Sequence, residues 1–235
     1  MKKLTSILFL LITVAARSQT THPNDTTIVK DTLVSGREYW TIHTENGFHV
    51  STGAKQNGLK DGVWRDYSDV GMLLKLVEYK NGLRSGVYYE FNTNGVMSMS
   101  ELYMNDTLEG NRIVMNSFGR PKITEHYKRG KLEGERKSHY DDSKIQEESS
   151  WKNGVKEGVS KWYYQNGKVS IEYFYKNGVL SGPAKTYNEE GVLISEGIFT
   201  DNNEEGEWKE YDKTGKLAKK IIYKKGVVLK ETKVK

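Results

Sequence analysis

The sequence contains no cysteine, only three prolines, and no apolar run after residue 18 that could cross a membrane. Without cysteine the protein has no disulfides, and it cannot carry the cysteine-linked lipid of bacterial lipoproteins. Histidine ligand pairs, a G-x-S-x-G nucleophile elbow and a P-loop are also missing from the sequence. We therefore expect a non-enzymatic protein without catalytic residues, cofactor or metal, stabilised by packing alone.

The first 18 residues have the features of a secretory signal peptide. A basic start at residues 2–3 precedes a mostly apolar run of 13 residues, 4–16. Ala16 and Ser18 then occupy the −3 and −1 positions of a cleavage site before Gln19. The run is shorter than the ~20 residues of a spanning helix, so an uncleaved anchor is the weaker alternative. We predict a secreted or periplasmic protein.

Removal of this segment nearly neutralises the chain. It leaves 33 basic and 31 acidic residues, a net charge of +2, so the pI near 9.0 does not indicate nucleic-acid binding. The charge is uneven, because residues 213–235 hold nine lysines and one acidic residue. Such a basic end suits contact with an anionic membrane or envelope surface, or a solvated edge that discourages strand pairing between molecules.

From Asn57 to Lys224 the sequence consists of seven consecutive rows of 24 residues, with no insertion or deletion. Two columns define the rows, since the sixth position is always glycine and the twenty-third is always aromatic. The glycines are Gly62, Gly86, Gly110, Gly134, Gly158, Gly182 and Gly206. The aromatic residues are Tyr79, Tyr103, Tyr127, Trp151, Tyr175, Phe199 and Tyr223. A fixed period of this length indicates a tandem repeat array.

Each row contains two turn signals, about half a period apart. The first is Asn-Gly at the row start, as at Asn57-Gly58, which suits a type I′ hairpin turn because both residues tolerate positive φ. The second is a glycine at position 15, often preceded three residues earlier by Asn or Asp, which is typical of a three-residue hairpin loop. The segments between are rich in Tyr, Trp, Val and Ile, which favour strands. Each row is therefore predicted to be a β-hairpin.

These rows predict an all-β fold, in which tandem 24-residue β-hairpin repeats form an elongated, twisted antiparallel sheet. The alternative is a parallel β-solenoid with one coil per row. A three-residue loop places position 11 opposite position 17, and simple alternation then puts columns 17 and 23 on one face, opposite the lysines of column 24. Pro121 and Ser143 break their columns, so we expect local irregularity in rows three and four.

The domain organisation follows from the rows. Residues 1–18 form the signal peptide, and residues 19–32 form a polar linker, the end of which is a candidate strand. Residues 33–56 are a degenerate first repeat, 57–224 are the seven repeats, and 225–235 are a partial capping repeat with a lysine-rich tail. Atypical terminal units are expected, because a repeat array has two open ends to cap.

The row consensus N-G-x-x-x-G-x-W/Y-x-x-Y-x-x-x-G-x-L/V-x-x-E-x-x-Y-K resembles the variant MORN repeat, which occurs in tandem in many bacterial proteins. The resemblance is close over residues 57–224 and loose over 33–56. It implies a repeat scaffold without catalytic residues of its own. Some members are described as antitoxins, and other MORN arrays are linked to protein scaffolding and membrane contact. A signal peptide is not expected in an antitoxin that neutralises a cytoplasmic toxin.

Two charged columns recur along the array. Position 20 carries Glu148, Glu172 and Glu196, and position 9 carries Lys137, Lys161, Lys185 and Lys209. Equivalent carboxylates ~9.5 Å apart on alternate strands are not the differentiated acid and base that a catalytic mechanism needs. We interpret both columns as surface residues that pair across strands.

Apolar residues interrupt the pattern in rows two and three, where they either contact a partner or fill a local gap. These residues are Met97, Met99, Leu102, Ile113, Met115 and Phe118. We predict a protein-binding scaffold whose partner is another protein. The alternatives are an antitoxin-like or immunity-like neutraliser, and a peripheral membrane or envelope-polymer binder that uses the lysine-rich C-terminus.

Overall fold

The computed structural model describes residues 26–43 and 49–234, and the predicted signal peptide lies outside these ranges. Within them the chain forms one sheet of 20 strands and no helix. The strands are β1 (Thr26–Lys30), β2 (Arg37–His43), β3 (His49–Gln56), β4 (Leu59–Tyr67), β5 (Leu73–Lys80), β6 (Leu83–Phe91), β7 (Met97–Met104), β8 (Thr107–Leu108), β9 (Gly110–Met115), β10 (Pro121–Lys128), β11 (Lys131–Leu132), β12 (Gly134–His139), β13 (Ile145–Lys152), β14 (Val155–Tyr163), β15 (Val169–Lys176), β16 (Val179–Tyr187), β17 (Leu193–Thr200), β18 (Asn203–Tyr211), β19 (Leu217–Lys224) and β20 (Val227–Lys233). Strand β1 occupies the end of the segment interpreted as a linker.

The sheet is a single antiparallel meander. Each strand pairs with its neighbours in the chain, which confirms tandem hairpins rather than a solenoid. Strands β8 and β9 share one place between β7 and β10, and β11 and β12 share the next. These two interruptions, at Glu109 and Glu133, lie in rows three and four, where irregularity was expected, but not at Pro121 or Ser143. The sheet is elongated, twisted and open, and β1 and β20 are its end strands.

Both predicted turn types are confirmed. At the row starts the two turn residues have positive φ, as for Asn57 (50°) and Gly58 (82°), which a type I′ turn requires. At the opposite side of the sheet, the amide of position 15 donates to the carbonyl of position 12, as from Gly71 to Ser68 (3.0 Å). Ser143 adopts a φ of 70° at the place that glycine holds in the other rows.

A one-residue bulge after each of these loops contradicts the prediction that columns 17 and 23 share a face. Tyr67 lies opposite Leu73 as predicted, but Asp66 lies opposite Lys75, so Leu74 is an extra residue. The bulge breaks the strict alternation of side chains along the strand. Position 17 therefore shares a face with position 11, whereas position 23 points to the other side of the sheet.

The contacts define two faces, named here from the residues of the first full row. Face A carries positions 4, 8, 10, 19, 21 and 23, which in that row are Lys60, Trp64, Asp66, Lys75, Val77 and Tyr79. Face B carries positions 7, 9, 11, 17, 20, 22 and 24, which in that row are Val63, Arg65, Tyr67, Leu73, Leu76, Glu78 and Lys80. Face A is the more buried, since Trp64 and Val77 are each 3% exposed.

Glycine at position 21 allows an indole ring to lie flat on face A. A Cβ atom on Gly53 would lie 2.3 Å from the Trp64 ring, and one on Gly197 would lie 2.1 Å from the Trp208 ring. The Trp64 indole N–H donates to the carbonyl of Ala54 (2.8 Å), which holds the ring in this position. These two pairs show how neighbouring strands of a single-layer sheet bury a large side chain without a second layer.

Aromatic residues form a continuous edge-to-face series over the last three rows of face A. The ring centroids of Trp162 and Tyr173 are 5.9 Å apart, and those of Tyr173 and Phe199 are 5.6 Å apart. Trp208 continues the series, 5.1 Å from Phe199 and 6.1 Å from Tyr223. Each such contact contributes about 0.5–1.5 kcal/mol beyond area burial, so the series connects the rows energetically.

The sixth-column glycines lie where each row makes a wider bulge. Val77 pairs with Tyr88 and Tyr79 pairs with Arg84, so residues 85–87 oppose a single residue. All seven glycines of this column have positive φ, a conformation that side chains other than glycine adopt at a cost. Glycine therefore occupies this column because the backbone conformation favours it there.

We predict that Gly182→Ala destabilises the protein more than Gly206→Ala. Gly182 has a φ of 152°, and its Cβ would lie 2.8 Å from the Phe174 ring, whereas the Cβ of Gly206 would meet open space at a φ of 75°. The Gly206 variant should lose about 1–2 kcal/mol from left-handed strain, and the Gly182 variant about 2–5 kcal/mol. Thermal unfolding monitored by circular dichroism measures both, and equal losses would contradict the assignment.

Candidate binding face

A chain of alternating charges replaces the aromatic packing in the middle of face A. Arg112 bridges Glu101 (2.8 Å) and Glu125 (2.9 Å), because positions 8 and 21 of neighbouring strands lie opposite each other. Arg136 then bridges Glu125 (3.0 Å) and Glu147 (3.2 Å). The Glu101 and Glu125 side chains are each only 8% exposed. Charge-assisted hydrogen bonds of this kind, in which each arginine contacts two carboxylates, compensate the burial of the charges.

This series of ion pairs on face A ends at Lys156, whose ammonium group is enclosed by other side chains. Its Nζ atom lies 2.9 Å from Glu147 and within 4.9 to 5.8 Å of the centroids of Trp151, Trp162 and Tyr175. Cations over aromatic rings recur on this face, so that charged groups cover the rings. Within the described residues, face A thus satisfies its own charges and apolar groups, and it offers little free surface to a partner.

Face B carries a ladder of alternating lysine and glutamate over its second half. The cross-strand pairs run without a break through Lys137, Glu148, Lys161, Glu172, Lys185, Glu196 and Lys209, and we name these seven residues the charged ladder. Ion pairs of 3.1 to 3.5 Å join several of its neighbours. Each position-20 carboxylate therefore lies between lysines, which agrees with surface residues that pair across strands.

Tyrosines at position 11 donate hydrogen bonds to two glutamates of this ladder. The Tyr163 hydroxyl donates to Glu148 (2.6 Å) and the Tyr211 hydroxyl donates to Glu196 (2.7 Å). The hydrogen bond from Tyr163 lowers the pKa of the Glu148 carboxyl, and Lys137 lowers it further. In return, the hydrogen bond to Glu196 is the main cause that raises the pKa of Tyr211 to about 12. These shifts oppose the use of either carboxylate as a general acid near neutral pH.

Glutamates at position 5 have a structural role in the turns. The carboxylate of Glu109 accepts the amide of Arg129 (2.6 Å), the first turn residue of the next row. Glu133, Glu157 and Glu205 accept the equivalent amides of later rows at 2.7 to 2.8 Å. The side chains thus link consecutive turns along one side of the sheet. Within the described ranges, no group of three or more His, Asp or Glu side chains could hold a metal ion.

In columns 9 and 20, the first half of face B carries mostly apolar or small residues, whereas the second half carries charged residues. We name these residues of the first half the apolar surface: Leu76, Val87, Tyr89, Phe91, Met97, Leu102, Ile113 and Met115. Leu76 pairs with Tyr89, and Val87 pairs with Leu102, so the side chains of adjacent strands are contiguous. Leu102 is 42% exposed, and the others are half-buried at the surface of a sheet that no second layer covers in the described ranges.

The structure separates the six residues that the sequence suggested as a partner surface. Met97, Leu102, Ile113 and Met115 lie together on face B of the neighbouring strands β7 and β9. Met99 lies instead on face A, where its sulfur contacts the Arg112 guanidinium (3.6 Å). Phe118 lies in the loop between β9 and β10 and is 76% exposed.

Sequence reasoning missed Leu76, Val87, Tyr89 and Phe91, although they belong to the same surface. Aromatic and aliphatic residues were expected in these rows, so none of the four departs from the repeat pattern. A signal was available in columns 9 and 20, which change from mostly apolar or small residues in rows one to three to alternating lysine and glutamate in rows four to six. That change separates the two halves of face B.

Comparison with protein families identifies three segments of the chain. Residues 132–153, 156–177 and 204–225 match the family described as MORN repeat variant. Each segment begins at position 4 of a row and ends in the type I′ turn that opens the next row. A comparison with curated proteins finds no match. The described part of the chain also contains no helix that is long and apolar enough to span a bilayer.

We predict that Glu125→Gln destabilises the protein far more than Glu135→Gln. Glu125 is 8% exposed and joins two arginines, whereas Glu135 is 58% exposed and pairs only with Lys137. Loss of the first carboxylate leaves each of two partly buried arginines with one carboxylate partner instead of two and should cost about 2–3 kcal/mol, below the cost for a fully buried pair. The second should change stability by less than about 0.5 kcal/mol. Denaturant unfolding checks both, and similar small losses would show that the bridge contributes little.

We predict a pH-dependent difference between the wild type and Tyr163→Phe. The pKa of Glu148 is lowered from 4.5, so its contribution is complete above that pH and is lost as pH falls through the lowered pKa. The Tyr163→Phe variant lacks the hydrogen bond, so its melting temperature should be lower at neutral pH and should approach that of the wild type in acid. A difference that stays constant from neutral to acidic pH would contradict this linkage.

Proposed function

We propose that this protein, three segments of which match the variant MORN repeat, is a non-enzymatic, exported scaffold that binds another protein through the apolar surface of face B. Repeats of this family commonly bind proteins or membranes. The observation that supports protein binding here is the contrast between the two faces. Face A covers its own aromatic rings and charges, whereas the first half of face B presents adjacent apolar side chains on an uncovered sheet.

The composition of the apolar surface suits a protein partner. It combines aromatic, methionine and aliphatic side chains, such as Tyr89, Met97 and Leu102, which are typical of the centres of protein interfaces. Contiguous exposed apolar patches on soluble proteins mark interaction sites more often than isolated residues do. Charged residues of the ladder, beginning at Lys137, border this surface along the same face and would supply a polar rim.

The lysine-rich C-terminal end supports a second candidate, contact with an anionic membrane or envelope polymer. Of the lysines between 213 and 233, only Lys219 and Lys220 form ion pairs within the described part of the chain. Lys224, Lys225 and Lys230 are exposed and available for an anionic surface. Binding of this kind is screened over ~8 Å at physiological ionic strength, so it should weaken as salt rises. Neutralisation of a toxin would be one form of the protein binding proposed first.

Site-specific crosslinking tests the proposal. A photoreactive residue at Leu102 lies on the apolar surface, and the same residue at Val159 lies on the charged half of face B. The two positions are matched, because Leu102 is 42% exposed and Val159 is 41% exposed. We expect the residue at 102 to crosslink one protein of the native envelope or secreted fraction in stoichiometric yield, at low and high salt, and the residue at 159 to give little product.

A double variant provides the functional control for this crosslinking. Leu102→Asp with Ile113→Asp places two charges on the apolar surface and should abolish capture of that protein, whereas Val159→Asp should retain it. All variants should melt like the parent, since the altered side chains are not fully buried. Capture that survives the double variant would contradict the assigned surface. Binding only to vesicles with anionic lipid, lost as salt rises, would favour the second candidate.

A further inference from the structure

Exposed apolar residues lie at both ends of the sheet, on β1, the loop that follows it and β2 at one end, and on β20 at the other. At the first end Ile28 is 41%, Val34 is 42% and Tyr39 is 47% exposed. At the other end Val228 is 50% and Leu229 is 62% exposed. Within the described ranges β1 pairs only with β2, and β20 pairs only with β19. Within the described residues, no second strand pairs with the outer edge of Ile28–Lys30 in β1 or of β20, and apolar side chains lie beside both edges, the usual requirement for strand addition.

The two edges are complementary in direction, because each is one half of a hairpin row. Strand β20 follows a type I′ turn at Lys225 and Gly226 and is the first strand of a row, without its second strand among the described residues. Strand β1 is the second strand of a row, since it precedes and pairs antiparallel with the first strand of the next, β2. A β1 strand placed beside β20 would therefore run antiparallel to it and complete the row.

The same two strands also agree in which side chains lie on which face. Ile28 lies opposite Trp40, and Trp40 lies opposite Gly53, whose backbone is covered by the face A residue Trp64. Glu231 lies opposite Ile221, a position-21 residue of face A. Ile28 and Glu231 therefore both belong to face A, and in the register of a regular row they would lie opposite each other.

The backbone N–H and C=O groups of Ile28 in β1 and Glu231 in β20 are also oriented for pairing. The amide of Asp31 donates to the carbonyl of Arg37 (2.9 Å), so alternation directs the N–H and C=O groups of Ile28 away from β2. At the other end the amide of Val234 donates to the carbonyl of Ala218 (2.8 Å), which directs the same groups of Glu231 away from β19. Ile28 and Glu231 therefore share a face, and within the described residues both direct their backbone hydrogen-bonding groups to the outer edge of the sheet.

We propose that β20 of one molecule pairs with β1 of a second copy, with Glu231 opposite Ile28, so that the sheet continues from molecule to molecule. Such an interface is heterologous, because it uses a different surface of each partner, and it produces open chains rather than a closed dimer. The association is independent of the apolar surface of face B, which would repeat along the chain of molecules.

Proline substitutions at the two edges test this pairing. Proline removes the amide and is tolerated where that amide faces away from the neighbouring strand. Ile28→Pro and Glu231→Pro should therefore keep the fold and block one edge each. Sedimentation velocity should show the wild-type mass rising with concentration beyond a dimer, and each proline variant alone should stay monomeric. Ile28→Ala and Glu231→Ala, which keep the amide, should still associate.

An equimolar mixture of the two proline variants distinguishes head-to-tail pairing from other arrangements. The intact β20 edge of Ile28→Pro can pair with the intact β1 edge of Glu231→Pro, so the mixture should form dimers and nothing larger. A wild-type protein that is monomeric at every concentration would overturn the proposal. A dimer that persists in Ile28→Pro would overturn it too, because it would indicate β20 pairing with β20. Unchanged melting curves establish that the variants are folded.

Discussion

The whole structure depends on one constraint, which is that a sheet with a single layer must bury apolar groups against its own neighbouring strands. Trp64 meets this constraint by lying flat over Gly53, and Trp208 does the same over Gly197. These contacts join residues on adjacent strands, so every row is stabilised by the rows beside it. Stability is then close to a sum over rows and their interfaces, as in other repeat proteins. The same constraint leaves the opposite face uncovered.

In the middle of the array, ion pairs between adjacent strands replace aromatic rings as the packing of face A. Positions 8 and 21 hold Trp64 and Val77 in the first full row but Arg112 and Glu125 in the third, and both pairs are cross-strand neighbours on face A. In the series of ion pairs on face A, each internal group contacts two partners, and the Glu125 carboxylate lies between two arginines. The repeat thus keeps its backbone while the chemistry of its packed face changes, which leaves the surface chemistry of face B free to differ between its halves.

Much of the fold follows from local chemistry that is visible in single rows. Asn57 and Gly58 take the positive φ values that a type I′ turn needs, and Ser68 and Gly71 close the three-residue loop. Hairpins, strand order and repeat length follow directly, because all of these pairings are local. The candidate site was only partly predictable. Columns 9 and 20 carried the contrast between apolar and charged residues, but Met99 could be assigned to the wrong face because an extra residue after each loop leaves no mark in the sequence.

The sequence by itself therefore determined the repeat, its turns and its antiparallel meander, since these depend on backbone preferences of residues close in the chain. Only the tertiary structure decided which columns share a face, because the bulge at Leu74 and its equivalents breaks the simple alternation of side chains. It also decided that the carboxylate of Glu125 is part of a buried ionic chain, and that Leu76, Tyr89 and Ile113 form one surface. Those outcomes depend on contacts between strands, where register and burial set the role of each side chain.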